Sequence, residues 1–344
     1  MSKANWIQGN FQDVPLTPPH DRGVFCMDIG PDSIVTGSAD HGLRIFDLNS
    51  GKFRRELFSK QYGHKEWVTT CAFTRDGRIV SGGMDNQLCV WAKGAVRCDS
   101  LVGHQASISK VLVDENNICL SSGYDCVINL WDLDRLDNGA QLKGPHRNAV
   151  LEMAWRNSLV VSGDKDGVVV FWDLNSSKPI KKAQAHSGGI ACIHLFSDSV
   201  NTHLICTTGI NDGMVNVFDM RTNKPLFSQQ LHKGAVNQIT SDMSGNLITC
   251  SADRTCKIID PLTGFKVRGE MQCKDAVYCL TTAYNVTVAG CGDGNLLFFD
   301  NDTQKCLYGF GAMQQGGVRC LKTTEDKSRL VAAGDDPTSL MICF

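Results

Sequence analysis

Three stretches of this sequence carry the side chains of a hydrolase. His64, Ser81 and Asp85 occur with Trp91, His104, Ser121 and Asp125 with Trp131, and His146, Ser162 and Asp166 with Trp172. A serine hydroxyl, an imidazole and a carboxylate are the parts of an acyl-transfer triad, in which histidine takes the proton of the attacking hydroxyl. One active site needs one such set, whereas here the set recurs at an even period. A repeated constellation is better explained as structure. Each buried hydrogen bond contributes about 0.5–1.5 kcal/mol net, and a buried group left without its partner costs about 1–3 kcal/mol. These residues are therefore expected to be structural, with no catalytic residue among them. Gly290-Cys291-Gly292-Asp293-Gly294 lacks the spacing, the following helix and the lysine of a phosphate loop. Of nine histidines six belong to the repeat, and no metal-ligand spacing survives. No cofactor and no metal are implied.

The elements that must position these residues follow from the same period. An acidic turn residue is answered six residues later by a bulky apolar one: Asp40 by Phe46, Asp85 by Trp91, Asp125 by Trp131, Asp166 by Trp172, Asp212 by Phe218, Asp253 by Ile259 and Asp293 by Phe299. An eighth copy at Asp336 carries Pro337 and one extra residue. Successive acids are 40 to 46 positions apart by subtraction, close to the period of about 40–45 residues of four-stranded propeller blades. Alternating apolar runs such as Val68–Phe73, turns such as Arg75-Asp76-Gly77, and polar closing segments such as Pro179–Ala183 give four antiparallel strands per copy and no helix of consequence. The fifth copy has a surplus at Phe196–His203, expected to be a longer connection.

This pattern resembles the WD40-repeat β-propeller family over essentially the whole chain. Trp131-Asp132 and Trp172-Asp173 are intact signature dipeptides, and Gly63-His64 and Gly103-His104 intact openers. The resemblance implies that His, Ser, Asp and Trp form a buried hydrogen-bonded tetrad in each complete blade. The expected fold is all-β: one propeller domain over residues 1–344 with eight blades, in repeat units near 20–63, 64–103, 104–145, 146–185, 186–231, 232–273, 274–314 and 315–344. Residues 1–19, through a strand at Trp6–Thr17, supply the outer strand that the eighth copy lacks. Joining the two termini in one blade removes two exposed sheet edges. Seven blades, with a terminal copy displaced, is the alternative.

The tetrad decays along the chain. His186, Thr208, Asp212 and His232, Thr249, Asp253 lack tryptophan, and Ala289 and Ala332 replace the hydroxyl in copies seven and eight. The last two blades and the N-terminal strand are thus expected to be the least stable part. Sixteen cysteines without a CxxC, mostly within apolar runs, imply free thiols and an intracellular, cytoplasmic setting, with the nucleus as the alternative. A formal charge of -2 gives no general attraction for nucleic acid, which is not an expected partner, and no apolar run is long enough to span a membrane. Lys52-Phe53-Arg54-Arg55 and Lys178, Lys181 and Lys182 are basic runs on expected outermost strands, where charge protects an edge.

Function is expected on the face formed by the histidine loops and Asp turns, since loops on a rigid scaffold carry binding. Equivalent positions there are mostly small, but Phe25, Trp67, Met84 and Tyr124 are large, Lys165 flanks them, and Tyr278 and Arg319 belong to later blades. Aromatic residues, Met and Arg are enriched at protein interfaces. These seven are the candidate partner-binding residues. The expected function is a non-catalytic scaffold or adaptor that binds a peptide or partner loop, as a monomeric propeller within a larger complex. Alternatives are a substrate receptor of a ubiquitin ligase, or a subunit of a ciliary, trafficking or ribosome-assembly complex. More remote is an enzyme with a site at the channel mouth, for which Asp28, Glu152 and His194 are the only ionisable candidates.

Overall fold

The computed structural model describes residues 3–59, 61–196, 202–222 and 224–344. The middle of the Phe196–His203 connection therefore lies outside the described residues. Within them the chain forms eight four-stranded antiparallel sheets, the blades of an eight-bladed β-propeller. Eight sheets settle the count against seven. Blade two shows the pattern, with Val68–Phe73, Ile79–Gly83, Leu88–Trp91 and Cys98–Leu101 paired in sequence order. Second strands such as Ser33–Ser38 and Leu204–Gly209 are buried at every residue, because sheets pack on both of their faces. Fourth strands such as Lys178–Gln184 are largely exposed, and this one carries Lys178, Lys181 and Lys182.

Two compact units divide the chain. Pro15–Gln184 with Pro337–Ser339 holds blades one to four, and Met1–Val14, Ala185–Asp336 and Leu340–Phe344 hold blades five to eight. In the second unit the last sheet is completed from the N-terminus: Gln12–Pro15 lies beside Leu340–Cys343, followed by Arg329–Gly334 and Val318–Thr323. The strand is shorter than Trp6–Thr17, because Lys3–Gln8 is a helix. Trp6 drives that difference. Its indole is 1% exposed, stacks on Phe344 at 3.8 Å and donates from Nε1 to the carbonyl of Lys327 at 2.9 Å. One helical turn, rather than a strand, turns this side chain into the core between blades seven and eight, with Phe298 and Leu330.

Every inner strand carries a β-bulge at its start. In blade two Val68 pairs with Gly83 and Thr70 with Gly82, which leaves Thr69 extra. The equivalent extra residues are Phe25, Ser109, Leu151, Ala191, Asn237, Tyr278 and Arg319. A bulge re-aims the side chain it carries.

Candidate functional site

The tetrads are built from three elements of one blade. His64 Nδ1 lies 3.0 Å from Asp85, and its Nε2 lies 2.8 Å from Ser81 Oγ, which also accepts from Trp91 Nε1 at 2.8 Å. His104 repeats this with Asp125, Ser121 and Trp131 at 2.8, 2.7 and 2.8 Å. Because the carboxylate can only accept, Nδ1 bears the proton, and Nε2 accepts from the serine hydroxyl. The glycine openers make room for the tryptophan: a Cβ on Gly63 would sit 2.7 Å from the Trp91 ring. Burial works against the charge on Asp85, but donation from His64 and from the Lys65 amide outweighs it and holds the carboxyl below its ordinary value.

Blade four departs from the expected set. His146 pairs with Asp164 at 2.8 Å, not with Asp166, while Ser162 and Trp172 take their places at 2.6 and 2.7 Å. Asp164 occupies the position of Gly83 and Gly123. A Cβ at Gly83 would lie 2.6 Å from His64 Nδ1, so a side chain growing there reaches the imidazole first. Asp166 instead accepts from Asn148 Nδ2 at 2.8 Å. In blade five the hydroxyl partner of His186 is Thr207 at 3.0 Å, not Thr208, because Gly209–Asp212 holds one more residue than its counterparts. Asn216 reaches the same imidazole in place of a tryptophan. Blades one and six form His20–Asp40–Thr36 and His232–Asp253–Thr249.

None of these serines is placed to attack a substrate. Ser81, Ser121 and Ser162 are 0% exposed, with each hydroxyl bonded to both imidazole and indole. Of the three ionisable candidates on the inner strands, the two carboxylates are also engaged. Asp28 accepts from the Phe73 amide at 2.7 Å, Glu152 pairs with Lys110 at 2.9 Å, and the His194 ring packs 5.7 Å from Phe196. Asp28 and Glu152 link neighbouring blades.

The candidate binding residues fall into two groups, one in each unit. In blades one to four, Met84 and Tyr124 are among the most exposed large side chains of the Asp turns, at 44% and 53%. They border a cavity of about 380 Å3 lined also by Thr69, Ser107, Ile108, Ser109 and Leu151. Lys165 is exposed on the next Asp turn. Trp67 and Phe25 do not line this cavity; their rings meet each other at 5.3 Å. Thr69, Ser109 and Leu151 are bulge residues, a role the sequence hides, although their common position after the first apolar anchor was visible. In blades five to eight, Arg319 lies 3.9 Å over the Tyr278 ring and is held by both oxygens of Asp335 at 3.0 Å. Asp335 was the missed partner. It turns Arg319 from a free cation into a neutralised plate.

Comparison with known proteins agrees with this architecture. The family described as Nucleolar protein 10-like, N-terminal domain, matches residues 135–310, and WD40 repeats match 55–92 and 96–132. Autophagy-related protein 16 of Arabidopsis thaliana is 30% identical over 200 residues, which are 54% of this chain and 36% of that protein. A guanine nucleotide-binding protein subunit beta of Oryza sativa is 25% identical over 52% of each chain. CCR4-associated factor 4 of Saccharomyces cerevisiae is 24% identical over 56% of this chain and 30% of its own. The chain thus spans about a third to a half of these relatives. The crystal structure of the computationally designed protein Ika8 matches with a TM-score of 0.83 at 24% identity, covering 95% of this chain and 98% of that one. It shows the fold.

Proposed function

We propose a protein-binding role for this chain, which belongs to the WD40-repeat β-propellers and to the family described as Nucleolar protein 10-like, N-terminal domain. On this reading the eight blades act as one propeller domain, a non-catalytic platform inside the cell with its thiols reduced. The names of its relatives, an associated factor and a subunit among them, support assembly with other proteins. The proposed site is the cavity between the Asp turns of blades two and three. The observation that carries it is the exposure of Met84 and Tyr124 beside a cavity of about 380 Å3 with hydroxyls and Leu151 in its lining. An extended peptide or partner loop would bury an apolar side chain there and present an acid to Lys165. The Phe25–Trp67 pair extends the apolar surface from blade one to blade two.

Affinity purification followed by titration of the captured partner tests this. Tyr124→Ala and Trp67→Ala are each expected to weaken binding by more than about 1 kcal/mol, roughly fivefold, with unchanged thermal unfolding for Tyr124→Ala. Unaltered affinity in both variants would remove this sector from the binding surface.

A further inference from the structure

At the opposite ends of the strands in blades one and two lies a second cavity, of about 410 Å3, floored by Phe73 and Ile79. Its charge does not balance. Arg54, Arg55, Arg75 and Lys93 line it against two carboxylates, Asp32 and Asp76. Both acids are already engaged. Asp32 is 3.2 Å from Arg54, which is also bound to Asp47 at 2.6 Å and to Ser33 Oγ at 2.8 Å. Asp76 is 2.8 Å from Arg78. Among the described residues Arg75 has only an exposed contact of 3.5 Å with Glu115.

Arg55 is left over. Among the described residues no carboxylate pairs with it, and its Nε is buried without a hydrogen-bond partner. Burial and the charge of Arg54 both pull its guanidinium below the ordinary value, which is what a cation held in a partly dry place without an anion undergoes. Lys93, drawn over the turn at Gly77, adds a second positive charge to the lining, within reach of Asp32. A donor left without a partner favours any anion that supplies one, and a planar guanidinium is best matched by a two-oxygen anion.

We propose that this cavity is an oxyanion site for a dianionic phosphate monoester, with Arg55 as the paired donor and Lys93 as the second cation. The phosphate is carried either by a peptide side chain or by a free small molecule. This site is separate from the cavity between blades two and three and does not depend on it. It also gives the Arg54-Arg55 run a role beyond protecting a sheet edge.

Isothermal titration of the whole chain with inorganic phosphate, and with a short phosphoserine peptide beside its unphosphorylated form, tests the proposal. Saturable binding that weakens with added salt is expected for the phosphoserine peptide and not for its unphosphorylated form. Binding of inorganic phosphate as well would show that the group suffices without a peptide. Arg55→Gln is expected to weaken binding at least tenfold and Arg55→Lys to keep part of it, since charge remains while the fork is lost. Lys93→Gln should weaken it severalfold, and the exposed Arg135→Gln should leave it unchanged. Thermal unfolding of each variant checks that it folds. No saturable binding of either phosphate ligand, or equal affinity in a folded Arg55→Gln, overturns the assignment.

Discussion

In blade four, Asp164 stands where blades two and three have Gly83 and Gly123, and the consequence is energetic as well as geometric. Its carboxylate accepts from His146 Nδ1, from the Asp166 amide at 3.0 Å and from the Val168 amide at 2.9 Å. Asp164→Ala strips these partners while leaving a Cβ in the space that the Asp166 carboxylate would need. A loss of about 3 kcal/mol is expected, in the range for a broken buried pair. Asp164→Gly opens that space and recreates the arrangement of blade two, so Asp166 can turn toward His146. The test is the coupling between the two acids in denaturant unfolding. Asp166→Ala should cost under about 0.5 kcal/mol in the wild-type chain, where Asp166 is exposed, and more than about 1 kcal/mol in Asp164→Gly. Equal costs in both backgrounds would mean that the two acids are not interchangeable. The six-residue beat from acid to bulky residue could not have revealed this exchange, because Asp166 keeps that beat with Trp172. The signal lay in the glycine position, where an acid replaced the absent side chain.

At the scale of elements, strand order and blade number were legible because apolar alternation and turn residues recur eight times, each copy confirming the others. The N-terminal helix was not. Six residues are too few to show a helical period, and Trp6 buries itself through contacts more than three hundred positions away in sequence, such as the Lys327 carbonyl. That helix bears on the expectation that the terminal blades are weakest. Blades seven and eight have alanine in place of the tetrad hydroxyl, but Trp6 stacks on Phe344, Phe11 packs edge-on against Phe310 at 5.1 Å, and Phe298 stacks on Tyr308 at 4.4 Å. Aromatic packing replaces a polar network here. Trp6→Ala is accordingly expected to cost about 3–5 kcal/mol, as large core truncations do. The loss should appear in hydrogen exchange as faster exchange of the amides in Arg329–Gly334 and Leu340–Cys343 than in Ile118–Gly123. Unchanged protection of the last blade in a Trp6→Ala chain would show that the tetrad-poor blades are held by something else. The bulges had no sequence mark of their own either, since a bulge is a property of pairing; only their shared position relative to the apolar anchor could be read.

At the scale of the whole molecule two histidine–acid pairs, His186–Asp212 and His232–Asp253, link stability to pH, and the sign can be worked out group by group. Burial is the main reason that His186 and His232 titrate below the ordinary histidine value, against the pull of Asp212 and Asp253. Between the ordinary value of 6.5 and their depressed native values, the unfolded chain binds protons that the folded chain refuses. Stability therefore falls as pH drops through that interval and is fully present above it. Asp253 acts later. Burial opposes its charge, but bonds from Thr255, the Lys233 amide and His232 lower it from 3.8 to about 2, so its contribution is lost as pH falls through 3.8 toward about 2. Acid loss should then come in two stages. Denaturant midpoints measured at pH 7.5, 6, 5 and 3 are expected to decline first below neutrality and again below pH 4. Replacing both histidines with glutamine should lower stability at pH 7.5 yet flatten the decline between pH 7 and 5, because an amide does not titrate. A double variant with the wild-type slope over that interval would place the acid sensitivity in other groups. The flattening, more than the loss of stability, distinguishes the account, since any damage to a buried network weakens the fold but only removal of the titrating groups takes away their dependence on pH.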